Sequence, residues 1–465
     1  MSYNYKHKYA FVLVVLIVLS FSAYAITMAY SNWQDERSYR SRFAIHEGIM
    51  ANHAKTISFE VEGHRKAKVT LEEPVVVSKS EEPLEWGYYQ FPSVFCLSDG
   101  NLLVTWQMKE DAIAAYAKAD LGKNKMLSTD NGKTWIDYDN RYSQEQYLYS
   151  VKRSNGECLR IISYIKKANS HNEGFPKPVF QYDDKGEKVA FYKESELPGN
   201  LQGLNLHKWQ YSNVAPKDIK WMHYHYNDKT LYKCISDDHI YLWVGHMLEL
   251  SNKEVIAYSN TSYHTDNDST ILPSGISFYK MNERNNTFDF LGEIPYEPDL
   301  KANSRMFLSK SIGFSEPALV EMSNGNLLCV ARSTMVDDLT PMYKSISKDG
   351  GITWSKPEAF TPNGVYPNLI RLGNGTLVLS SGRPGVQLRF CFDGNDKKWT
   401  EPIEMMPFPM VNGVIDTFGG SCGYTYLLPI DDNSFFIAYS YFDKRISRGK
   451  YMKSIICRKI TVEIE

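Results

Sequence analysis

Short apolar runs separated by turn residues dominate the chain from about residue 88 to about residue 442. Three segments of thirteen residues align without gaps, and they begin at Pro92, Pro317 and Pro367. Each segment alternates apolar and polar positions, passes through Asp-Gly or Asn-Gly, and continues as a second apolar run. This pattern predicts a β-hairpin, here with a type I′ turn.

Weaker copies of the same pattern begin at Lys152, Met247 and Tyr426, which brings the number of predicted hairpins to six. Helical periodicity is scarce throughout the chain. Self-similarity at a period of tens of residues is typical of solenoids and propellers. Antiparallel units that repeat radially cover one another's edges in a propeller. The pattern therefore predicts an all-β, six-bladed β-propeller over residues 61–465.

A second repeated element follows some of the hairpins. The segments Ser128–Trp135 and Ser347–Trp354 both read S-x-D-x-G-x-T-W, and degenerate copies start at Asp183, Asn282 and Asp393. We expect a tight turn in which Asp accepts hydrogen bonds from turn amides and Gly takes a positive φ. The Trp side chain should pack between neighbouring strands. These residues are interpreted as structural, and no catalytic role is assigned to them.

The N-terminus carries a targeting pattern. Basic residues Lys6 and Lys8 precede an apolar run from about Tyr9 to Tyr30, and this run contains an A-x-A site that ends at Ala25. These features are typical of a secretory signal peptide. The run is also about 20 residues long, enough for an uncleaved membrane anchor. Residues 1–30 are therefore predicted to be one or the other, and residues 31–60 a polar linker.

Both alternatives predict that the propeller lies outside the cytoplasm, and the anchor would attach it to a membrane through residues 9–30. The net charge of −2 argues against a nucleic-acid partner. The seven cysteines are isolated, so neither a zinc site nor any other metal or cofactor is expected. His223 and His225 alternate on a predicted strand and are interpreted as lining residues. The 32 Tyr and 9 Trp suit surfaces that stack on sugar rings.

With these repeats, the chain resembles the sialidase (neuraminidase) superfamily of Asp-box proteins over roughly residues 85 to 460. The resemblance implies that the site is formed by inner strands, at the end of the channel opposite to the Asp-boxes. It also implies three arginines that clamp the carboxylate of a sugar, a nucleophilic tyrosine polarised by a glutamate, and an aspartate that acts as acid and base.

Four residues match this pattern closely. Glu316 and Arg332 lie on one predicted hairpin and are similar to the tyrosine-activating glutamate and the second arginine. Arg383 precedes a strand that leads into a degenerate S-x-D turn, and it is similar to the third arginine. Tyr424 is similar to the nucleophilic tyrosine, with Tyr426 as the alternative.

Two further positions are less well matched. Asp111 lies in the loop after the first hairpin, where the resemblance implies the acid/base, and Glu110 and Asp120 are its competitors. The family's first arginine stands in an R-I-P motif, and the matching residue here is Gln90. A glutamine donates hydrogen bonds to a carboxylate but carries no charge.

The chemistry is coherent for an anionic substrate. Such a sugar repels a carboxylate nucleophile, whereas a neutral phenol avoids this repulsion and becomes a nucleophile when a carboxylate takes its proton. The sequence therefore predicts an exo-α-sialidase-like glycoside hydrolase that acts on a glycan with a carboxylate-bearing terminal sugar. Two alternatives remain: a propeller enzyme for a different acidic sugar, which Gln90 favours, and a non-catalytic glycan-binding propeller.

Overall fold

The computed structural model describes residues 48–465 apart from short internal segments. These segments are 63–64, 98, 112–119, 139–149, 163, 167–173, 185–186, 211–218, 229–230, 237–238, 242–245, 260–264, 267–269, 272–273, 300–312, 335–339, 408–409, 412–413, 416–418 and 448–449. The predicted signal peptide or anchor, residues 1–30, lies outside the described residues. Among the residues that are described, no helix is both long and apolar enough to cross a membrane.

The chain divides into two compact parts, one of residues 49–409 with 416–465 and one of residues 1–48 with 410–415. In the smaller part, the described strands Met410–Val411 and Val414–Ile415 pair antiparallel. In the larger part, the secondary structure is almost entirely β. A 3-10 turn at Glu194–Glu196 is the only helical segment that the described residues contain.

Six antiparallel modules of four strands follow one another in the described part of the chain, and each begins with one of the six predicted hairpins. The strands are Tyr88–Cys96, Leu102–Met108, Lys125–Ser128 and Ile136–Asp137 in module 1; Ser150–Lys152, Glu157–Ile162, Leu204–Gln210 and Lys220–Asn227 in module 2; Met247–Glu249, Val255–Ser259, Ile276–Asn282 and Thr287–Ile294 in module 3; Gly313–Glu321, Leu327–Thr334, Met342–Ser347 and Glu358–Thr361 in module 4; Val365–Arg371, Leu377–Gly382, Val386–Cys391 and Ile403–Glu404 in module 5; and Thr425–Pro429, Ser434–Ser447, Lys450–Ile464 and Arg65–Leu71 in module 6. The all-β, propeller-type fold is confirmed, and the number of six blades stays a prediction.

The six hairpins are confirmed, but the type I′ turn predicted for the three aligned segments is wrong, because Asp99, Asn324 and Asn374 do not have a positive φ. In module 4, Met322 and Asn326 are hydrogen-bonded through their backbones, the N–H of Gly325 donates to the carbonyl of Met322, and φ of Gly325 is 81°. Asn324 does not have a positive φ, although a type I′ turn requires positive φ at both central residues. The loop is instead a type I turn followed by a left-handed glycine, and the Asn324 side chain accepts a hydrogen bond from the N–H of Asn326.

Strands from the N-terminal part of the chain complete the last two modules. Arg65–Leu71 pairs with Lys450–Ile464, and Lys55–Val61 continues that sheet. Val75–Lys79 pairs with the same C-terminal strand, and Ile49–Met50 lies parallel to the last strand of module 5. Strands thus begin within the segment 31–60 that the sequence suggested to be a linker.

Modules 2 and 3 depart from the plan of the others. Their fourth strands pair in parallel, which joins the two modules into one sheet of eight strands. A further five-stranded sheet is built from segments between the module strands, namely Tyr164–Lys166, Phe180–Asp184, Glu187–Lys193, Tyr232–Ser236 and His239–Tyr241. The degenerate S-x-D copy at Asp183 lies in this extra sheet, so it does not join two strands of a module.

The two full S-x-D-x-G-x-T-W turns have the hydrogen bonds that the sequence predicted. In module 1, Asp130 accepts from the N–H groups of Lys133 and Thr134, and Ser128 accepts from the N–H of Gly132. In module 4, the N–H and hydroxyl of Thr353 donate to Asp349 in the same way. Each turn connects the third strand of a module to the fourth.

The turn tryptophans pack against the preceding module. Trp354 of module 4 stacks on Phe278 of module 3, with ring centroids 4.2 Å apart. Trp135 of module 1 joins a core cluster that contains Phe436 of module 6. A Cβ on Gly132 would lie 2.8 Å from the Phe436 ring, so only glycine allows this approach. The turns therefore hold neighbouring modules together, including the last and the first.

Candidate active site

Three residues that precede a proline in the aligned repeats converge on one tyrosine. Phe91, Glu316 and Tyr366 stand before Pro in modules 1, 4 and 5, with φ values of 51°, 50° and 45°. In all three first strands the register shifts at this point. A left-handed backbone in a non-glycine residue costs about 1–3 kcal/mol and persists only where the surrounding structure imposes it. All three side chains contact Tyr424.

Tyr424 stands directly before the first strand of module 6 and follows Gly423, whose φ is 82°. Its ring stacks on that of Tyr366, with centroids 4.3 Å apart and an angle of 12° between the planes. The ring of Phe91 also packs against it, with centroids 4.6 Å apart. Its hydroxyl donates a hydrogen bond to Oε1 of Glu316. The phenol is thus fixed by two aromatic rings and aimed at a carboxylate.

Glu316 is buried, with 9% of its surface exposed, and both carboxylate oxygens have donors. Oε1 accepts from Arg332 Nη1 at 2.9 Å in addition to the Tyr424 hydroxyl, and Oε2 accepts from the N–H of Tyr366 at 2.8 Å. Arg332 is 7% exposed, and its Nη1 also lies 3.5 Å from the Tyr424 hydroxyl oxygen. Three donors therefore converge on the Glu316 carboxylate, and one of them is the phenolic hydroxyl.

The electrostatics of the site keep the phenol protonated before reaction. Burial raises the pKa of Tyr424 well above its ordinary value, and the negative charge of Glu316 raises it further. The positive charges of Arg332 and Arg383 act in the opposite direction. A neutral tyrosine that donates to a carboxylate is the ground state of a base-activated nucleophile.

Arg383 brings a second guanidinium to the cluster. It follows the second strand of module 5, is 5% exposed, and has a φ of 51°. Its Nε donates to the carbonyl of Cys422 at 3.2 Å. Its Cζ lies 5.3 Å from the ring centroid of Trp86 and 5.9 Å from that of Tyr424. The guanidinium is therefore fixed next to the tyrosine by aromatic faces and a backbone carbonyl.

The structure separates the three candidates for the acid/base. Asp111 Oδ2 accepts a hydrogen bond from Nε1 of Trp86 at 2.8 Å, which links it to the residue that contacts Arg383. Asp120 instead accepts the backbone N–H of Met108 at 2.6 Å, and Glu110 is exposed. Of the three acids, Asp111 is the one that the described contacts link, through Trp86, to Arg383 and Tyr424.

Gln90 is placed differently from the four clustered residues. It is fully buried at 0% exposure, and neither polar atom of its side chain has a hydrogen-bond partner among the described residues. Its register partner on the next strand is Gln107. The neighbouring residue, Phe91, makes the contact to Tyr424. The structure therefore brings Tyr424, Glu316 and the arginines together but shows no hydrogen bond from Gln90 to them.

Phe91, Tyr366 and Trp86 were not among the predicted site residues. The first two carry a signal, because they occupy the same pre-proline position as Glu316 in the aligned repeats. Trp86 carries no such signal, since it lies outside the repeated segments. Tyr426, the alternative nucleophile, packs on Phe95 with centroids 5.4 Å apart.

The two histidines of the predicted strand lie together in module 2. Their rings are 4.7 Å apart, and His223 Nδ1 is 3.0 Å from the side-chain oxygen of Asn205. Burial lowers the pKa of His223, and the charge of His225 lowers it further. Across the described residues, no three His, Cys, Asp or Glu side chains come together as a metal site.

Comparisons with known proteins add a fold relationship. No protein-family model matches the chain. No curated protein matches it either. Among solved structures, a protein of unknown function from Dyadobacter fermentans is 17% identical with a TM-score of 0.53, covering 85% of this chain and 99% of that one. At this identity the likeness is one of fold alone.

Sialidases also appear among the structures similar to this chain. The NanB sialidase of Streptococcus pneumoniae, as a K499G mutant, is 13% identical with a TM-score of 0.44, covering 83% of this chain and 70% of that one. The sialidase of Trypanosoma rangeli, in complex with the inhibitor DANA, is 13% identical with a TM-score of 0.40, covering 87% of this chain and 57% of that one.

Proposed function

We propose that the protein is a sialidase-like glycoside hydrolase that removes a terminal acidic sugar from glycoconjugates outside the cytoplasm. The observation that carries the proposal is the hydrogen bond from the Tyr424 hydroxyl to Glu316, next to the guanidinium groups of Arg332 and Arg383. A protein that only binds glycans has no need of a tyrosine aimed at a strained, buried glutamate.

In the first step, the Tyr424 oxygen attacks the anomeric carbon while Glu316 accepts the phenolic proton. The bond from the anomeric carbon to the leaving oxygen breaks, and the carboxylic acid of Asp111 gives its proton to that oxygen. In the second step, the Asp111 carboxylate takes a proton from water while the water oxygen attacks the anomeric carbon. The bond from that carbon to the Tyr424 oxygen breaks, and Glu316 returns its proton to the phenolate. A tyrosine nucleophile is a recognised exception among glycosidases, which otherwise use two carboxylates.

The arginines suit a substrate that carries a carboxylate. Guanidinium groups form charge-assisted, bidentate hydrogen bonds with carboxylates. An anionic sugar would repel a carboxylate nucleophile at close range, and the neutral phenol of Tyr424 avoids this cost.

The place that the resemblance gives to the first arginine supports a second candidate. That position holds the uncharged, buried Gln90, and its neighbour Phe91 covers one side of Tyr424. A clamp with one cation fewer favours an acidic sugar other than sialic acid, such as a uronic acid, handled by the same chemistry.

The test is turnover by the full-length protein on 4-methylumbelliferyl α-sialosides and uronides. We expect Tyr424→Phe to lose turnover by orders of magnitude while its affinity for the acidic sugar stays, because the arginines are unchanged. Arg383→Ala should weaken binding by about 1.5–3 kcal/mol, the range for a hydrogen bond to a charged group. Tyr426→Phe is the matched control, since Tyr426 packs on Phe95 and should leave turnover unchanged.

Three results would change the proposal. Full turnover in Tyr424→Phe, with an active parent, removes Tyr424 from the role. Loss in Tyr426→Phe alone transfers the role to that residue. Saturable binding of acidic sugars without turnover on any substrate of the panel supports a glycan-binding protein instead.

A further inference from the structure

We propose that Trp86 positions the acid Asp111 against the arginine clamp, so that protonation of the leaving group depends on the indole N–H. This inference rests on the proposed function and names a residue that neither the sequence nor the resemblance pointed to. It predicts that loss of the indole N–H lowers kcat mainly on substrates whose leaving group must be protonated.

Trp86 makes two contacts with different parts of its side chain. The indole Nε1 donates to Asp111 Oδ2 at 2.8 Å, and this bond lies in the plane of the ring. The guanidinium of Arg383 lies over the ring, 5.3 Å from its centroid. The in-plane donor and the negative ring face are independent features of an indole. One side chain therefore sets the distance between the acid and a cation of the clamp.

The backbone around Trp86 is held by a buried lysine. Lys453 has no exposed surface, and its Nζ donates to the carbonyls of Glu85 and Tyr88, the second at 2.9 Å. These carbonyls lie on either side of Trp86 in the chain. Leu84 also exchanges backbone hydrogen bonds with Tyr451 of the same C-terminal strand. The segment that presents the indole is thus fixed at both ends.

Two further contacts restrict the indole and its partner. Gly87 has a φ of 102°, and a Cβ on it would lie 2.5 Å from the backbone nitrogen of Asp111. Only glycine allows the segment that carries Trp86 to approach the loop of the acid this closely. The ring of Phe442 meets Trp86 edge to face, with centroids 6.2 Å apart.

The hydrogen bond selects which oxygen of the acid does the chemistry. A protonated carboxyl group keeps one oxygen as an acceptor and carries its proton on the other. Because the indole N–H donates to Oδ2, the proton of the acid form is directed to Oδ1. In the second step, the same bond leaves Oδ1 of the carboxylate to accept the proton of water. Without the indole N–H, this preference for Oδ1 is lost, and proton transfer to the leaving group should slow.

The test compares two leaving groups in wild type, Trp86→Phe and Trp86→Ala. The substrates are a 4-methylumbelliferyl α-sialoside and sialyllactose, or the corresponding pair of uronides. An aryl leaving group departs without a proton, whereas the alkoxide of a sugar requires one. General acid catalysis raises the reaction rate by about 10²–10⁴-fold, and a misdirected proton should lose part of this rate enhancement.

We expect Trp86→Phe to lower kcat on the sugar leaving group by about 10- to 100-fold, within that range, and on the aryl leaving group by less than about 3-fold. KM should stay the same, because phenylalanine retains a ring face for Arg383. Trp86→Ala should show the same selectivity and, in addition, a higher KM on both substrates. Asp111→Asn is the reference and should share the leaving-group selectivity.

Trp106→Phe is the matched control. Trp106 lies in the same module, and its buried indole Nε1 has no hydrogen-bond partner among the described residues, so both substrates should be turned over as by wild type. An equal loss on both substrates in Trp86→Phe, or no loss on the sugar leaving group, overturns the inference alone. A parent that turns over neither substrate overturns the proposed function and this inference with it.

Discussion

Modules 1 and 4 begin with the same strained backbone and carry the same turn between their third and fourth strands, yet they bring different side-chain chemistry to Tyr424. The pre-proline residues Phe91 and Glu316 have φ values of 51° and 50°, and both contact the tyrosine. On the second strand, module 4 places Arg332 opposite Ser315, where it pairs with Glu316. The two modules thus share a geometry that the repeat encodes.

The two modules differ in the side chains that occupy these equivalent positions. In module 1, the second-strand residue is Gln107, and its amide donates to the backbone carbonyls of Gly87 and Lys109. Module 4 forms a buried ion pair that contacts the Tyr424 hydroxyl, and module 1 supplies an apolar contact from Phe91 and hydrogen bonds from Gln107 to the neighbouring loops. The repeat therefore fixes where a side chain points, and the residue type at one position decides whether it packs or reacts.

The largest expected difference between the two modules concerns stability. Glu316→Leu leaves the Arg332 guanidinium buried without its carboxylate, which should cost about 3–5 kcal/mol. Phe91→Leu at the equivalent position exchanges one apolar side chain for another and should cost less than about 1.5 kcal/mol. Urea midpoints of the two variants measure the difference.

A double variant serves as the control. Glu316→Leu with Arg332→Met removes both charges and should recover most of the lost stability. Equal midpoints for Glu316→Leu and Phe91→Leu would show that the ion pair does not distinguish the two modules.

The turns should behave alike in both modules, with an effect smaller than that of the ion pair. The hydroxyl and N–H of Thr134 lower the pKa of Asp130 from 3.8 to about 2, and those of Thr353 do the same for Asp349. A lowered carboxyl pKa stabilises the fold above the ordinary pKa, and this contribution is lost as the pH falls towards the folded value.

Asp130→Asn and Asp349→Asn should therefore lower the melting temperature equally near pH 7. Each difference from wild type should shrink as the pH falls from about 4 to about 2, following the two pKa values. Thermal unfolding across this range is the measurement. A difference that stays constant with pH, or that appears in one module alone, would contradict the equivalence of the turns.

The smallest expected difference concerns the turn tryptophans. Trp354 Nε1 donates to the carbonyl of Gly351 at 3.1 Å, whereas the buried Nε1 of Trp135 has no hydrogen-bond partner among the described residues. Trp354→Phe should therefore cost about 0.5–1.5 kcal/mol more than Trp135→Phe, the net contribution of one hydrogen bond. Denaturant unfolding of the two variants tests this, and a larger loss in Trp135→Phe would refute it.

Much of the fold could be predicted because its elements are local. Alternating apolar positions around polar turn residues identified all six hairpins, and the Asp of each full turn identified its hydrogen bonds to turn amides. The turn type was missed, because an Asn before a glycine suits both a type I′ turn and a type I turn with a left-handed glycine. The parallel pairing of modules 2 and 3 was also missed, since it joins strands that are distant in the sequence.

In the candidate site, too, the features with a local signal were predicted and those that depend on distant contacts were not. Glu316, Arg332, Arg383 and Tyr424 were found through repeat positions and resemblance, and they lie together in the structure. Trp86 was not found, because its role depends on contacts to Asp111 and Arg383, which lie far away along the chain. The pre-proline position of Phe91 and Tyr366 was visible in the sequence, but nothing local indicated that both would pack on one ring.

The sequence by itself determined the hairpins, the capped turns and the residue types available at each inner strand, because these follow from side-chain alternation and from hydrogen bonds within a few residues. The tertiary structure alone decided which of these residues meet. The left-handed backbone at Glu316 and the burial of its carboxylate are maintained by donors from Tyr424, Arg332 and Tyr366. Such a conformation is stable only when the neighbouring modules impose it, so the pre-proline pattern alone does not stabilise it.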